Sequence, residues 1–447
     1  MPALAVAAVP APAGLSAEGQ RVLAVVALAI ALWATEALPA GVTGVVVVLA
    51  LVVGRGVPGV REALAGFADP VTYFLIGVLT IGLAVARSGL AERVAILFLR
   101  RSRGRPGALY LDLLLSFPLL TLLLPSATTR TGILIHVYDQ ALELSGVPRG
   151  APLAKAVMLA LNSVNRLAST VLLTGGITPV VAAGLLGQTS WVRWLVLMSV
   201  PYGVLLLLAA AVIYASYRHG FAGSIAVPAA DRRAPLRPLE RRTLLITLGA
   251  SALWLTDSLH HWHPAVPALL AWVCLLAPRI GVLTWAEFER GLGWANVFVI
   301  GSSLSLAQAL VSSGARDWLA GLLVAATPGG ATSPVAVVAV LLVAAALARL
   351  LIPNITGFLA ATIPVAMSVG TLAGVDPLVC GLAVTIAGDA VLFYPAQSAS
   401  SLVVYERGHL SAAEIFRFGL VMTALAAAVV LVVALPYWGL VGQSLRR

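Results

Sequence analysis

The stretch LLLPSATTRTGILIHVYDQ, residues 122–140, decides the fold of this chain. Its centre, from Ser126 to Thr131, sets small and polar residues and the charge of Arg130 between two apolar runs. Such a polar interruption is tolerated inside a membrane only where it is buried in protein or lines a water-filled cavity. The returning arm GILIHVYDQALEL covers only about 20 Å as a helix and carries a histidine and an aspartate. We therefore predict a re-entrant hairpin over about residues 108–144.

The composition is that of an all-α polytopic membrane protein. Hydrophobic residues make up 60% of the 447, charged residues only 10%, and the mean hydropathy is +1.00, which excludes an ordinary soluble surface. Cys274 and Cys380 stand far apart in apolar runs, so neither a disulfide framework nor a CxxC metal site is available. The first twenty residues lack a basic region followed by a long apolar one, and we interpret 1–20 as a loose tail rather than a cleaved signal.

The apolar runs predict five spans and one hairpin in each half of the chain, since a span needs about 20 apolar residues. The second hairpin is predicted at about 332–372. Because five is odd, the second half is inverted relative to the first. The predicted spans lie near 21–38, 41–54, 70–87, 153–187, 193–217, 242–259, 264–278, 294–312, 377–404 and 413–440.

The basic residues predict the orientation of the spans. Of the 28 Lys and Arg residues, 18 fall in five loops on one side, which the positive-inside rule makes cytoplasmic. Both termini are then extracytoplasmic, and the location predicted is the inner membrane of a bacterium. The net charge of +10 follows from this topology, so we expect a lipid bilayer and no nucleic acid as partner. The five loops are 87–106, 143–155, 218–242, 279–292 and 405–417.

Three motifs of the first half return in the second half in the same order, at offsets of 221 to 228 residues. Inverted repeats with paired hairpins and broken helices are the architecture of secondary transporters with a midplane site. The predicted division is a tail, a first repeat over 21–217, a basic cytoplasmic linker over 218–241 and a second repeat over 242–447. The paired motifs are ALWATEALPAGVTG and ALWLTDSLHHWHPAVPA, YFLIGVLTIGLAVARSG and VFVIGSSLSLAQALVSSG, and PSATTRTGI and PNITGFLAATIP.

These motifs resemble the divalent anion/sodium symporter family over nearly the whole chain. The resemblance includes GFADPVTYFLIGVLTIGLAVARSGLAERVA and FYPAQSASSLVVYERGHLSAAEIFRFGL. Within this family, the chain is most similar to the branch of citrate/succinate and plastid dicarboxylate exchangers. The stretches that carry this similarity are PSATTRTG and LALNSVNRLASTVLLTGGITPVVAAGLL. The resemblance to the family implies a homodimer, a transport domain that moves as an elevator, and Ser-Asn-Thr signatures on both hairpin tips. The first signature falls on Ser126, Ala127 and Thr128, without the central asparagine, and the second on Asn354, Ile355 and Thr356.

Four ionisable residues at predicted membrane depth need partners. Arg130 could grip a carboxylate or sulfate with two parallel N–H groups, and the alternative is an arginine that caps the carbonyls of the hairpin tip. Arg166, next to Asn165, either contributes to the pocket or extends toward the cytoplasmic face. For Arg349 we expect a structural partner. Three arginines against Asp389 leave the interior positive, which favours an anion.

The remaining candidates lie at two helix breaks, TGGITP (174–179) and FYPAQSASS (393–401). Helix N-termini at a break attract anions, while freed carbonyls and hydroxyls suit a small cation. The alternative is that each hydroxyl only satisfies a neighbouring carbonyl. The substrate candidates are Ser126, Thr128, Thr129, Arg130, Asn354, Thr356, Gln397 and Ser398, with Thr178 as a further lining residue. The cation candidates are Ser126, Thr170, Thr174, Asn354 and Asp389.

The function predicted is secondary active transport of small di- or tricarboxylates, coupled to a cation or run as an exchange. No cofactor is expected beyond a sodium ion or a proton, and Asp389 either takes that cation or pairs statically with Arg166 or Arg349. The alternative substrate is an inorganic divalent anion such as sulfate. An intramembrane enzyme is disfavoured because the chain has no HExxH and no GxSxG motif. The histidines of DSLHHWHP, residues 257–264, are expected to bind zinc only adventitiously.

Overall fold

A computed structural model describes residues 11–124, 126–187, 190–226, 235–327 and 333–446. Its regular structure within these ranges is helical, apart from one isolated bridge between Val375 and Arg446. The predicted all-α class is therefore confirmed. The predictions for the first ten residues of the tail, for Pro125, for 227–234 of the linker and for the start of the second hairpin at 332 lie outside the described residues.

The first half contains, in order, three membrane helices, an amphipathic helix, a helical hairpin, a broken helix and a long helix. The first hairpin consists of Pro106–Leu123 and Ala127–Leu144, and the first broken helix has its break at residues 172–176. The helices are Ala17–Thr35, Ala40–Val53, Val60–Ala63, Pro70–Ser88, Leu90–Arg101, Pro106–Leu123, Ala127–Leu144, Pro152–Leu159, Asn165–Val171, Ile177–Leu185 and Trp191–Ser216, with a π-turn at Ala160–Val164 and 3-10 turns at Ala65–Phe67 and Arg218–Phe221.

The second half also contains, in order, an amphipathic helix, a helical hairpin, a broken helix and a long helix after its first membrane helices. The second hairpin consists of Pro334–Leu351 and Ile355–Ala373, and the second broken helix has its break at residues 390–398. The inversion of one half relative to the other, and the domain boundaries at 217 and 242, stay predictions. The helices are Pro238–Leu255, Asp257–His260, Ala265–Leu276, Trp285–Gly291, Trp294–Ser312, Ala315–Ala325, Pro334–Leu351, Ile355–Ala373, Pro377–Asp389, Ala399–Tyr405, Ala412–Val429 and Leu435–Leu440, with a 3-10 turn at Pro395–Gln397 and a π-turn at Val430–Ala434.

Within the described residues, eight helices are long and apolar enough to cross a membrane. Three shorter apolar helices, Ala40–Val53, Ala265–Leu276 and Pro377–Asp389, also fall within predicted spans. The returning arm of the first hairpin is longer than expected. It begins at Ala127 because Ser126 accepts a hydrogen bond from the N–H of Thr129 and caps the helix, which gives an arm of 18 residues.

Small residues bring the central helices close together, as is usual where membrane helices cross. A Cβ on Gly77 would lie 2.6 Å from the carbonyl oxygen of Ala268, where Pro70–Ser88 packs on Ala265–Leu276. In the same way, Ala40–Val53 packs on Trp294–Ser312, and a Cβ on Gly44 would lie 2.7 Å from the hydroxyl of Ser302. These crossings form the part of the molecule against which the hairpins and broken helices rest.

Contacts between loops group them into two sets, as the predicted alternation of spans requires. At one end meet the loops predicted to be cytoplasmic; at the other meet residues near the two chain ends. Which end faces the cytoplasm stays a prediction. The first set is joined by Arg87 with Glu287, Arg93 with Glu240, Ala226 with Ser145, and Lys155 with Glu414. The second is joined by Ser16 with Ser313, Arg21 with Arg55, and Arg193 with Gln443.

Candidate functional site

A cavity of about 570 Å³ lies where the two hairpin tips face the two helix breaks. All four of these elements line it, and the turn between the first two helices and the start of Trp294–Ser312 close it on the opposite side. The cavity is the size of a small-molecule site. The residues from the tips and breaks are Ser126, Ala127, Thr128, Arg166, Ser169, Gly176, Ile177, Thr178, Arg349, Pro353, Asn354, Ile355, Thr356, Ala396, Gln397, Ser398, Ala399 and Ser400.

Four helices begin at this cavity. Their first residues, Ala127, Ile177, Ile355 and Ala399, all belong to its lining. Each helix N-terminus carries a partial positive charge and backbone N–H groups without partners in the helix. Four such ends and the two arginines in the wall contribute positive potential, against the single carboxylate of Glu36 in the same lining. The arrangement favours a small anion with more than one negative charge.

Arg130 does not reach the cavity, because protein oxygens occupy its guanidinium. Its Nη1 donates to the carbonyl oxygen of Leu124 at the hairpin tip (2.6 Å) and to that of Gly175 in the first break (3.5 Å). Its Nε donates to the side-chain oxygen of Asn165 (2.9 Å), and Nη2 donates to the Asn165 carbonyl (3.0 Å) and the hydroxyl of Ser169. The side chain is fully buried. This geometry favours the capping alternative over the predicted substrate contact.

Arg349 holds the second hairpin in a related way. Its Nη1 donates to the carbonyl oxygens of Ile352 and Pro353, both at 2.6 Å, and its Nε donates to that of Gly388 at 3.1 Å. The guanidinium therefore ties the tip of the second hairpin to the end of the helix before the second break. It also borders the cavity. The structural role that we expected of Arg349 agrees with these bonds.

Arg166 and Asp389 form a buried ion pair behind the cavity wall. The Nη1 of Arg166 donates to Asp389 Oδ1 at 3.0 Å, and the second oxygen accepts from the hydroxyls of Thr170 (2.6 Å) and Tyr202 (3.1 Å). Arg166 is 8% exposed and lines the cavity, whereas Asp389 is fully buried. Of the two static pairs considered from the sequence, the structure shows the one with Arg166.

The structure brings most, but not all, of the predicted site residues to the cavity. Three of the predicted threonines lie outside the lining. The hydroxyl of Thr129 donates to that of Ser126, and the hydroxyl of Thr170 donates to the carboxylate of Asp389. The hydroxyl of Thr174 accepts from the indole N–H of Trp191 (3.3 Å). Arg130 and Asp389 also lie behind the wall. Those in the lining are Ser126, Thr128, Asn354, Thr356, Gln397 and Ser398, together with Thr178, Arg166 and Arg349.

Several residues of the site were not predicted. Tyr202 sits in the long apolar helix Trp191–Ser216, and nothing in the sequence separates it from a tyrosine that faces lipid. Ser169 lies one helical turn beyond Asn165 and lines the cavity, and the sequence does not set it apart from the neighbouring threonines. Ser400 and Asn296 also line the cavity. A π-turn at Ala160–Val164 immediately precedes Asn165 and Arg166, and such turns often mark functional sites.

The fold and the site define an all-helical membrane protein of the transporter class, with paired hairpins around an anion-attracting cavity. A family model described as the sodium:sulfate symporter transmembrane region matches residues 2–444. The chain therefore belongs to that family, which confirms the resemblance to divalent anion/sodium symporters. The family, and the relatives whose names state a function, are transporters by name rather than enzymes.

Relatives with a named function match most of the chain at low identity. A citrate/succinate antiporter of Escherichia coli K12 is 25% identical over 84% of this chain and 80% of its own. A chloroplastic dicarboxylate transporter of spinach is 24% identical over 97% of this chain and 80% of its own. Among solved structures, the YdaH transporter of Alcanivorax borkumensis shares the fold, with a TM-score of 0.53 at 15% identity over 86% of this chain and 88% of that chain.

Proposed function

We propose that the protein exchanges small dicarboxylates, and tricarboxylates that carry two charges, across a bacterial inner membrane by alternating access. The observation that carries the proposal is the cavity itself, with four helix N-termini and two arginines converging on a space for a small polyanion. The names of the antiporter and dicarboxylate relatives support the same substrate class. The elevator movement and the homodimer that the resemblance implies are part of the proposal.

The two hairpin arginines support exchange rather than a sodium cycle. In transporters with broken helices, freed backbone carbonyls often coordinate the coupling cation. Here the guanidinium of Arg130 occupies the oxygens between the first tip and the first break, and that of Arg349 occupies those at the second tip. In each hairpin, the guanidinium of an arginine therefore occupies the place where a free cation would bind the hairpin tip and the helix break together. We infer that sodium is not required.

The charge balance of the interior gives the same conclusion. The buried ionisable groups carry three positive charges, on Arg130, Arg166 and Arg349, and one negative charge, on Asp389. Two positive charges therefore remain uncompensated among these four groups. A dianionic substrate neutralises them. Moving a charged domain through the membrane is costly, so the empty carrier moves less readily than the loaded one. Exchange of one dianion for another follows.

A competition panel tests the substrate class. Protein in liposomes loaded with succinate takes up labelled succinate, and each competitor is added outside at equal concentration. We expect succinate, malate and citrate to compete and acetate not to compete. Sulfate is the second candidate, because the family description names it. No uptake of labelled succinate, together with uptake of labelled sulfate into sulfate-loaded liposomes, would reject the proposal in favour of that anion.

A further inference from the structure

Arg166 differs from the other two buried arginines in what its guanidinium leaves unused. Only Nη1 has a hydrogen-bond partner, Asp389, whereas Nε and Nη2 are buried and have no acceptor among the described residues. Nine-tenths of the side chain is buried, and the residue borders the cavity. Unpaired buried donors of a charged group are unfavourable. An acceptor that enters from the adjoining cavity would satisfy them.

The chemistry of the guanidinium identifies that acceptor. The N–H of Nε and the neighbouring N–H of Nη2 point in the same direction and form the edge that a planar carboxylate fits with both oxygens. Arg130 uses this same edge on protein oxygens, with Nε and Nη2 both bonded to Asn165. The Nε of Arg349 donates to the carbonyl oxygen of Gly388. Among the three, Arg166 alone keeps the two-donor edge free.

Asp389 fixes the direction of that edge. Its two oxygens accept from Arg166, Thr170 and Tyr202, and the last two hydroxyls come from different helices. The carboxylate, Thr170 and Tyr202 are fully buried, so the pair cannot rotate toward solvent. Asp389 thereby holds Nη1 and leaves Nε and Nη2 for a second carboxylate. It acts as a positioning residue and as a fixed negative charge beside the bound anion.

We propose that Arg166 binds one carboxylate of the substrate through Nε and Nη2, and that Asp389 positions it and sets the preferred substrate charge. This rests on the proposed function. With Asp389 ionised, the four buried groups carry two net positive charges, which a dianion balances. Neutralising Asp389 leaves three positive charges, so a trianion becomes the better match. The geometry also favours a planar carboxylate over a group with a single acceptor oxygen.

Titration calorimetry on purified protein tests the proposal, with succinate and citrate at a pH where both are fully ionised. The variant Arg166→Lys keeps the charge but loses the two-donor edge. We expect it to weaken succinate binding about 10- to 100-fold, the value of one or two charge-assisted hydrogen bonds. The control Arg193→Lys changes an arginine that bonds Val441 and Gln443 away from the cavity, and its affinity should stay within about twofold of the unaltered protein.

A second variant gives a readout in the opposite direction. Asp389→Asn keeps the size of the side chain, and it should raise the affinity for citrate relative to succinate by about tenfold, because one charge next to the substrate is removed. A loss of packing alone would weaken both ligands equally. Unchanged succinate affinity in Arg166→Lys, or an unchanged citrate-to-succinate ratio in Asp389→Asn, would overturn the proposal. Should the unaltered protein bind no di- or tricarboxylate, the proposed function itself fails.

Discussion

The bonds of Arg130 predict that this residue is needed for stability rather than for substrate contact. In Arg130→Ala, five hydrogen bonds to buried oxygens of the first tip, the first break, Asn165 and Ser169 are lost together. An unsatisfied buried acceptor costs about 1–3 kcal/mol, and water entering from the nearby cavity offsets part of that cost. We therefore expect a loss of about 3–6 kcal/mol in the free energy of unfolding.

Thermal and denaturant unfolding of the detergent-solubilised protein measures this loss. The matched control is Arg193→Ala, which removes only two bonds near the surface, to Val441 and Gln443, and should cost about 1 kcal/mol or less. Because an arginine that bridges tip and break stands where a cation would bind, sodium should partly restore the Arg130→Ala variant and leave the unaltered protein unchanged. A fully stable variant that has lost succinate binding would refute this reasoning and restore Arg130 as a substrate residue.

Three further predictions follow from the packing and the topology. Gly175→Ala should destabilise the protein by about 1–3 kcal/mol or prevent its expression, because the new Cβ would lie 2.0 Å from the Ser169 carbonyl oxygen; Gly132→Ala, with no neighbouring atom within 4 Å, should be tolerated, and equal stability of the two variants would contradict the packing. Cysteine at Ser444 should react with an impermeant maleimide added outside intact cells, and cysteine at Ser224 only after permeabilisation; the reverse pattern would invert the assigned topology. Asp389→Ala, which leaves Arg166 without its ion-pair partner, should lower the unfolding free energy by about 3–5 kcal/mol, measured by denaturant titration, and Asp389→Asn by less.

The overall fold was predictable because a membrane imposes few solutions on the backbone. Apolar runs of span length, a polar tip between two arms and a second copy of the same order leave little choice but helices and hairpins. The amphipathic helices Leu90–Arg101 and Ala315–Ala325 were missed, since each occupies a loop between predicted elements. Their position, one before each hairpin, is itself part of the repeat.

The site was predictable in its lining but not in its pairing. Local sequence predicts the N-cap positions Ser126 and Asn354, because small polar side chains cap helix N-termini. It likewise predicts the break residues Gln397 and Ser398. Which arginine faces the cavity depends on contacts between residues 35 to 223 positions apart, such as Arg130 with Asn165 and Arg166 with Asp389. Periodicity and motif spacing carry no information on such contacts. The sequence therefore favoured Arg130, at the tip, over Arg166.

The most direct test of the account is exchange measured with and without sodium. Liposomes containing the protein are loaded with unlabelled succinate, and uptake of labelled succinate is followed with sodium or with choline as the only external cation. Arg130 and Arg349 already hold the two hairpin tips, so we predict equal initial rates in both media and almost no uptake into liposomes loaded with buffer alone. Uptake into such empty liposomes that requires an inward sodium gradient would contradict the account.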